Sequence, residues 1–429
     1  MNCEKRLFYS VCNQLLISKP PGLFLIICAL LFFSLVACSE EYPGLPDHIA
    51  NSEHLLVFDK ESITPKQFHF HRETVFEDSL HIDQIKDIKV DDDGRLYIAS
   101  ESWGRRQLHL FESDGSYIDS LGMMGTEPGE FQSIDHIQVI DEALFLSDES
   151  LQRVTIYNRY DFSLIDTLTF HQEKFPFPDG LTPDLYRLSP FAILDNESHI
   201  ILFRQIRNPA YEPEGLMKIY LLETDGGIRW TKLAEMPDLT WLVGDYAGSP
   251  AAFTLHLPEQ PLHQLSTNNR LITAHTSEFL ITSRSINGDY EKFYYLPLQS
   301  IELHPSEINH PRFSHNNQVL RVRESAVYPE YWPALYSIVP DNANRIWVST
   351  IPENRDRLDW WVIDEDSGEL VTRFAWPFER PIVYVKGNSV YTVEKDGMGF
   401  ERVVRYRFNE VLNEKNTTHP EIRMSDDAL

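Results

Sequence analysis

The residues of this chain that could do chemistry are isolated histidines and carboxylates, and they form no complete catalytic motif. Among the 16 histidines, His69 and His71 are two positions apart in a strand-like segment. That spacing places both rings on one face, where they could chelate a metal. A solvated pair is the alternative, because no third ligand is evident nearby. His136 follows Asp135, and such a carboxylate can orient an imidazole that acts as a general base. The alternative is a channel-wall pair without catalysis.

Other chemical motifs are absent or incomplete in the sequence. The run Asp91-Asp92-Asp93-Gly94 matches only the start of a calcium-loop pattern, and a turn between two strands explains it fully. There is no G-x-S-x-G, P-loop or Rossmann fingerprint, and no HExxH or CxxC. The sequence therefore identifies no cofactor and assigns no metal ligands. It leaves open the binding of a metal ion in a central channel.

The N-terminus has the layout of an export signal. Lys5, Arg6 and Lys19 precede an apolar run from Gly22 to Ala37, which is shorter than the ~20 residues that a spanning helix needs. An uncleaved anchor is the alternative. All four cysteines fall within the first 38 positions, so a chain cleaved after Ala37 could form no disulfide.

The sequence Leu35-Val36-Ala37-Cys38 resembles a bacterial lipobox. The resemblance implies cleavage before Cys38 and diacylglycerol on its sulfur, and the multiple acyl chains bind membrane far more firmly than one. Ser39-Glu40-Glu41 resembles the surface-export signal of some Gram-negative lipoproteins. We therefore expect a lipid-anchored protein of the bacterial cell envelope, at the outer membrane, on either the periplasmic or the exposed side.

Charge limits the partners. The formal net charge is −27, and such a surface repels phosphate backbones, which argues against a nucleic-acid partner. Residues 1–37 contribute +2 (Lys5, Arg6 and Lys19 against Glu4), so the mature chain carries −29. A body held off the anionic leaflet by Ser39–Asn51 is consistent with this acidity.

The rest of the chain is a repeat of short β-branched and aromatic runs. The first run of each unit begins at Leu96, Leu144, Ile200, Phe279, Ile346 and Val390. A second run follows at a similar offset and begins at Leu108, Val154, Lys218, Lys292, Trp360 and Arg402. A further strand precedes the first run, and Asp/Gly turns connect the runs. The pattern predicts an all-β fold, a six-bladed β-propeller of four-stranded antiparallel blades.

Two segments resemble NHL-type propellers. Gly122–Phe131 is similar to the G-x-x-G-x-x-P-G-x-F linker between blades, and Asp148–Val154 resembles the D-x-x-N-x-R-V stretch, with Leu151 in place of Asn. The group most similar overall is that of bacterial six-bladed β-propeller lipoproteins. NHL-like lyases place histidine ligands at the inner ends of blade strands, near which we expect His81, His136 and His199, but their offsets differ and no ligand set carries over.

The last unit lacks a convincing outer strand, because the residues after Phe408 are polar. We expect an N-terminal strand to close the ring, either Gln67–Phe76 or His54–Asp59. The first of these segments alternates, and the positions expected to share one face of the strand include Phe68, Phe70, Thr74 and Phe76. An edge strand in a separate N-terminal piece is the alternative. The predicted regions are a signal peptide (1–37), an acylated tether (38–52), the propeller (53–410) and a polar tail (411–429).

Long insertions rich in proline and aromatic residues suggest a recognition surface: His171–Pro190, Asn208–Gly215, Thr240–Leu262 and Asn309–Trp332. The candidate recognition residues are Trp241, Tyr246, Tyr331 and Trp332. The alternative is that these rings fill seams between blades. The candidate ligand-binding residues at a channel mouth are His81, Asp83, Asp135 and His136.

Three functions are compatible with this pattern. The first is an envelope lipoprotein whose propeller is a binding or scaffold module for a protein, peptide or glycan. The second is a metal-dependent lyase or lactonase that uses the central channel. The third is a structural envelope component without a discrete ligand. The absence of an assignable ligand set in the sequence favours the first.

Overall fold

The computed structural model describes residues 45–412 apart from 47–48, 50–51, 53, 60–63, 77–81, 103, 172, 256, 289–290, 305–306 and 308–321. The predicted signal peptide, Cys38, His81 and most of the predicted tail lie outside the described residues. The chain divides into a unit Met1–Ser52 and a unit Glu53–Leu429. In the described part of the first unit, the Ile49 amide donates to the Pro46 carbonyl over 3.0 Å, which forms a turn. No helix among the described residues has the length and apolarity to cross a membrane.

The first three blades are consecutive four-stranded antiparallel meanders. Blade 1 contains β3 (Ile85–Val90), β4 (Leu96–Ser102), β5 (Arg105–Phe111) and β6 (Tyr117–Leu121). Blade 2 contains β7 (His136–Ile140), β8 (Ala143–Asp148), β9 (Arg153–Asn158) and β10 (Leu164–Thr169). Blade 3 contains β11 (Tyr186–Ile193), β12 (Ser198–Gln205), β13 (Leu216–Glu223) and β14 (Arg229–Pro237). The predicted insertion His171–Pro190 therefore ends inside a strand.

The other three blades use strands from both ends of the chain. Blade 4 contains β17 (Pro261–Leu265), β18 (Arg270–His275), β19 (Leu280–Ser285) and β20 (Glu291–Tyr295), with β1 (Leu55–Val57) parallel to β20. Blade 5 contains β21 (Leu335–Pro340), β22 (Arg345–Thr350), β23 (Arg357–Asp364) and β24 (Leu370–Pro377). Blade 6 contains β25 (Ile382–Lys386), β26 (Ser389–Lys395), β27 (Glu401–Leu412) and β2 (Lys66–Phe76). A hairpin of β15 (Leu242–Tyr246) and β16 (Ser249–Phe253) precedes blade 4.

The prediction of six blades closed by an N-terminal strand is confirmed. Of the two candidate segments, β2 supplies the outer strand of blade 6, antiparallel to β27 from Lys66↔Leu412 to Phe76↔Val403. The other segment, which contains β1, instead covers the outer edge of blade 4. Pairing β2 with β27 satisfies a row of backbone groups that would otherwise be an open edge.

The expectation that Phe68, Phe70, Thr74 and Phe76 share one phase is wrong, because β2 contains a bulge between Arg72 and Thr74. A bulge adds one unpaired residue and so exchanges the two faces of the strand beyond it. Phe68 and Phe70 consequently pack in the seam with blade 5, whereas Phe76 packs in the seam with blade 1. The closing strand thus contributes aromatic side chains to both seams that flank blade 6.

Buried side chains form one apolar cluster in each seam between adjacent blades. In β12, Ile201 and Phe203 face blade 2, whereas Ile200 and Leu202 face blade 4. Burial on both faces explains why such strands appear in the sequence as continuous apolar runs rather than as alternating patterns. The seam between blades 5 and 6 is rich in aromatic rings, and Phe68 stacks on Phe408 at a centroid distance of 4.6 Å.

The linker that resembles an NHL motif is fixed by buried polar groups. Gly122 has φ 87°, and a Cβ there would lie 2.8 Å from the ring of the fully buried Phe131, so glycine is required. Asp148 accepts the amide of Gln132 over 2.8 Å, and the Arg153 guanidinium donates to the Thr126 carbonyl over 2.7 Å. Leu151, which replaces the usual Asn, still donates its amide to Asp148 over 2.9 Å.

Candidate functional site

The two faces of the propeller differ in their connections. In an antiparallel meander, the connections between blades and those from second to third strands open on one face, which we call the loop face. The remaining connections open on the other, the turn face, and each contains two to five residues. The long connections 170–185, 206–215, 238–260 and 296–334 all belong to the loop face. The described parts of the insertions noted in the sequence therefore begin or end on one side of the protein.

The four aromatic residues predicted for recognition have different environments. Tyr246, at the tip of the β15–β16 hairpin, and Tyr331 are each 42% exposed. Trp241 is half-buried just before that hairpin. Trp332 is buried, and its indole nitrogen donates to Glu307 over 3.2 Å while the Arg355 guanidinium lies 5.1 Å from its ring centroid. The two tyrosines are accessible to a ligand, whereas Trp332 packs inside the protein, as the alternative interpretation expected.

The first strands of the blades surround the axis, where β3 contacts β7 and β25, and β21 contacts β17 and β25. Polar side chains on these strands are partly exposed to solvent and line the central channel around this axis. Some of them join neighbouring blades. Asp87 of β3 accepts the Ile137 amide over 2.7 Å, and the Gln138 amide group both donates to and accepts from the backbone of Ile193. These bonds hold the channel wall together at blades 1, 2 and 3.

An aromatic triplet from three blades lies in the channel. The His136 ring is 5.0 Å from the ring of Phe191, which is 4.8 Å from the ring of His263, and the two imidazoles are 6.3 Å apart. Burial, together with the nearby His136 and Arg204, lowers the pKa of His263 to about 3. His263 is therefore neutral at physiological pH, and its Nδ1 has no hydrogen-bond partner among the described residues.

Charged residues meet beside His136 on the loop face. Burial raises the pKa of Glu149, opposed by Arg204, while Asp135 adds to the rise. The Asp135 carboxylate accepts the Ser133 hydroxyl over 2.6 Å and the Glu149 amide over 2.8 Å. Asp135 is thus occupied by its own loop, and no hydrogen bond joins it to the His136 imidazole. The structure brings the two residues together without the carboxylate–imidazole contact that a general base would use.

A cleft of about 480 Å³ opens on the loop face between blades 2 and 3. Small-molecule sites in proteins span about 300–1,000 Å³. Its lining residues are Gln152, His171, Glu173, Phe177, Pro183, Tyr186, Arg187 and Ile206. β11 has eight residues against five in β7, and its start forms one wall of the cleft. Arg187, on that wall, is exposed and also lies near Glu149, so the cleft adjoins the charged residues around the channel mouth.

The other residues that the sequence suggested for ligand or metal binding lie in different parts of the propeller. Asp83 is exposed in the connection between β2 and β3. His199 is not at an inner strand end; it is buried on β12 with its ring 5.4 Å from Phe170, and burial lowers its pKa to about 4. His69 and His71 lie on the closing strand β2. Within the described part of the chain, no three His, Cys, Asp or Glu side chains are grouped so as to hold a metal ion.

Sequence reasoning missed four residues of the channel and cleft: Lys89, Arg187, His263 and Tyr384. Lys89 lies on β3, in which polar residues alternate with buried apolar ones, whereas β17 around His263 and β25 around Tyr384 do not alternate strictly. That alternation was visible in the sequence, but it is also the ordinary pattern of a half-exposed strand. Only the ring arrangement shows that the polar positions of different blades face one channel.

The comparisons with known proteins concern the fold. Residues 73–189 match the model of the family DUF5128, described as "6-bladed beta-propeller". The protein is a six-bladed β-propeller. The matched segment runs from the end of β2 through blade 2 to the first residues of blade 3, and it includes both NHL-like motifs. The comparison with curated proteins found no match.

Several solved structures have a similar arrangement at low identity. A Bacteroides fragilis protein described as exported is 11% identical, with 83% of this chain and 99% of that chain covered and a TM-score of 0.46. A DUF4221 family member from Bacteroides vulgatus is 10% identical, with coverage of 82% and 99% and a TM-score of 0.45. A virginiamycin B lyase from Staphylococcus aureus is 11% identical, with coverage of 80% and 99% and a TM-score of 0.40. At these values the similarities carry no inference about activity.

Proposed function

We propose that this protein is a lipid-anchored module of the bacterial cell envelope that binds an envelope protein, peptide or glycan on the loop face of its propeller. The observation that carries the proposal is the asymmetry of the two faces. The long connections, the 480 Å³ cleft and the exposed Tyr246 and Tyr331 belong to the loop face, whereas the turn face has only short turns. Binding residues occur preferentially on loops that a rigid scaffold positions.

The composition of the cleft supports a specific ligand. Phe177, Pro183 and Ile206 supply apolar area, while Gln152 and Arg187 supply polar groups at its wall. Gln152 uses its amide nitrogen to donate to the Leu188 carbonyl over 3.1 Å, which fixes the side chain in place. Apolar walls with a few fixed polar groups are typical of sites that orient one ligand.

The proposed location rests on the sequence. The apolar run that ends at Ala37 and the following Cys38 have the layout of a lipoprotein signal. Acylation of Cys38 would place the protein at the outer membrane, and the net charge of −29 on the mature chain would keep the propeller away from an anionic leaflet. A Cys38→Ser variant should move the protein from the membrane fraction to the soluble fraction of the cell.

Site-directed crosslinking tests the binding face. Because the other three cysteines precede residue 38, an introduced cysteine would be the only free thiol of the mature chain. Tyr246→Cys and Arg187→Cys place a benzophenone label on the loop face, and Asp225→Cys places the same label on the turn face as a matched control. In intact envelopes, we expect a discrete crosslinked product from the first two variants only. Equal products from both faces, or products from Asp225→Cys alone, would refute a loop-face site.

A further inference from the structure

One lysine in the channel differs from the others in its surroundings. Lys89 is on β3, and its ammonium group has no hydrogen bond and no ion pair within the described residues. The ammonium lies over the ring of Tyr384 on β25, with Nζ 5.2 Å from the ring centroid. Two other described lysines, Lys174 and Lys395, also lack a hydrogen bond or ion pair, but both are exposed.

Lys386 provides a direct comparison. It is on the adjacent first strand β25 and is half-exposed, as Lys89 is. Its ammonium donates to Asp92 over 2.7 Å and to the Val90 carbonyl over 3.1 Å. Such pairing occupies the nitrogen of the amine. Two lysines that are both half-exposed thus differ in whether hydrogen-bond acceptors hold the nitrogen.

Burial is the influence that favours the uncharged form of Lys89. Burial lowers the pKa of Lys89, and Asp87 on the same strand opposes this change. The Asp87 carboxylate is already engaged, because it accepts the backbone amides of Ile88 and Ile137 over 2.9 and 2.7 Å. Burial raises the pKa of Tyr384 to about 12, so the phenol facing Lys89 stays protonated. His136 lies beside Asp87 on the next blade.

We propose that Lys89 is a nucleophilic amine that captures a small aldehyde or ketone in the central channel as an imine. The neutral amine uses its lone pair to attack the carbonyl carbon, the C=O π bond breaks, and one of the two N–H protons passes to the oxygen to give a carbinolamine. The second N–H proton passes to that hydroxyl, which leaves as water while the C=N bond forms. The carbonyl compound is the only co-reactant, and addition of water reverses the reaction. A partly desolvated lysine whose nitrogen forms no hydrogen bond or ion pair with a described carboxylate is the residue type that this chemistry requires.

Reductive trapping on the full-length, detergent-solubilised protein tests the proposal. The protein is incubated at pH 7 with glyoxylate and sodium cyanoborohydride, which reduces an imine to a stable secondary amine, and modification of each lysine is followed by peptide mass spectrometry. Each unit by which the pKa falls gives about ten times more neutral amine at pH 7. We expect Lys89 to be modified at least ten-fold faster than Lys386 and Lys395. Equal or slower modification of Lys89 would overturn the proposal.

Two variants separate channel chemistry from general surface reactivity. Lys89→Arg keeps a positive charge in the channel but cannot form the imine, so the fast phase should disappear. Lys386→Arg is the matched control and should leave the fast phase unchanged. The comparison of Lys89 with Lys386 and Lys395 is made in the wild-type protein. It therefore tests the proposal even if either variant folds poorly. A fast phase that survives Lys89→Arg would assign the reactivity to another amine.

Discussion

At the scale of single residues, buried polar side chains fix the turns that connect the first and second strands of blades 1 and 5. Asp91 accepts the amides of Asp93 and Arg95, and the Tyr97 hydroxyl donates to it over 3.0 Å. Asp341 does the same in blade 5, where it accepts the Arg345 amide over 3.0 Å and the indole N–H of Trp347 over 2.8 Å. The acidic run at Asp91 is therefore a turn, as predicted, and the spacing of aspartate and aromatic residue recurs in blade 5.

We expect His199 to make the free energy of unfolding depend on pH. The folded-state pKa is about 4, below the ordinary value of 6.5, because burial disfavours the charged ring. Between these values the unfolded chain binds a proton that the folded chain does not, so the free energy of unfolding falls as pH decreases, by about 1.4 kcal/mol per unit. A His199→Leu variant should lose this contribution. Its stability relative to wild type, measured by urea unfolding, should rise by about 3 kcal/mol between pH 6.5 and pH 4.

Measurements on the same two proteins at higher pH provide the control. At pH 8 the ring is almost entirely neutral in both states, so the difference in the free energy of unfolding between the two proteins at that pH reports packing alone. A difference that stays constant from pH 8 to pH 4 would show that His199 is not held neutral in the folded state.

At the scale of elements, the closing strand β2 is the part of the fold whose role depends most on its geometry. Its bulge directs Phe70 towards blade 5 and the fully buried Phe76 towards blade 1. Phe76 is 6.0 Å from Phe111 of blade 1 and 6.3 Å from Tyr391 of blade 6, measured between ring centroids. Such aromatic pairs contribute about 0.5–1.5 kcal/mol beyond their buried area. β2 thus stabilises the ring at two seams at once.

Removing the Phe76 ring should strongly destabilise the protein. We expect Phe76→Ala to lower the free energy of unfolding by about 3–5 kcal/mol, because the ring is fully buried and its loss leaves a cavity. The control is Tyr211→Ala on the loop face, where the ring is 71% exposed and the change should stay within about 0.5 kcal/mol. Urea unfolding measures both. A loss below 1 kcal/mol at Phe76 would mean that β2 does not secure the seam with blade 1.

At the scale of the whole molecule, the ring is closed by residues far apart in sequence. Lys66 pairs with Leu412, so the start of β2 adjoins the end of β27. The Lys66 ammonium also forms an ion pair with the Glu410 carboxylate. The Arg345 guanidinium of blade 5 forms an ion pair with the same carboxylate at 2.6 Å. The outer strand of blade 6 is therefore positioned by pairing across the chain ends rather than by a hairpin.

A circular permutant tests this description of closure. Joining Leu412 to Lys66 through a short turn, with new ends in the connection between β2 and β3, makes blade 6 a continuous meander. The permutant lacks β1, which adds a short edge strand to blade 4, but β2 and every strand of the six four-stranded blades keep their partners within those blades. It should therefore retain the near-ultraviolet circular dichroism and cooperative urea unfolding of the parent. Deletion of residues 1–80 should abolish cooperative unfolding. Native-like folding of the deletion together with failure of the permutant would contradict closure by β2.

The sequence by itself determined the six-fold repeat, the strand positions and the need for an N-terminal closing strand, because alternation, apolar runs and turn residues are local properties. The phase change within β2 was not predictable, since a bulge is decided by pairing with β27. The tertiary structure alone decided that Lys89 faces Tyr384, that His136 faces His263, and that the long connections share one face. These pairs are on different blades, and closing the ring brings distant segments together at one axis.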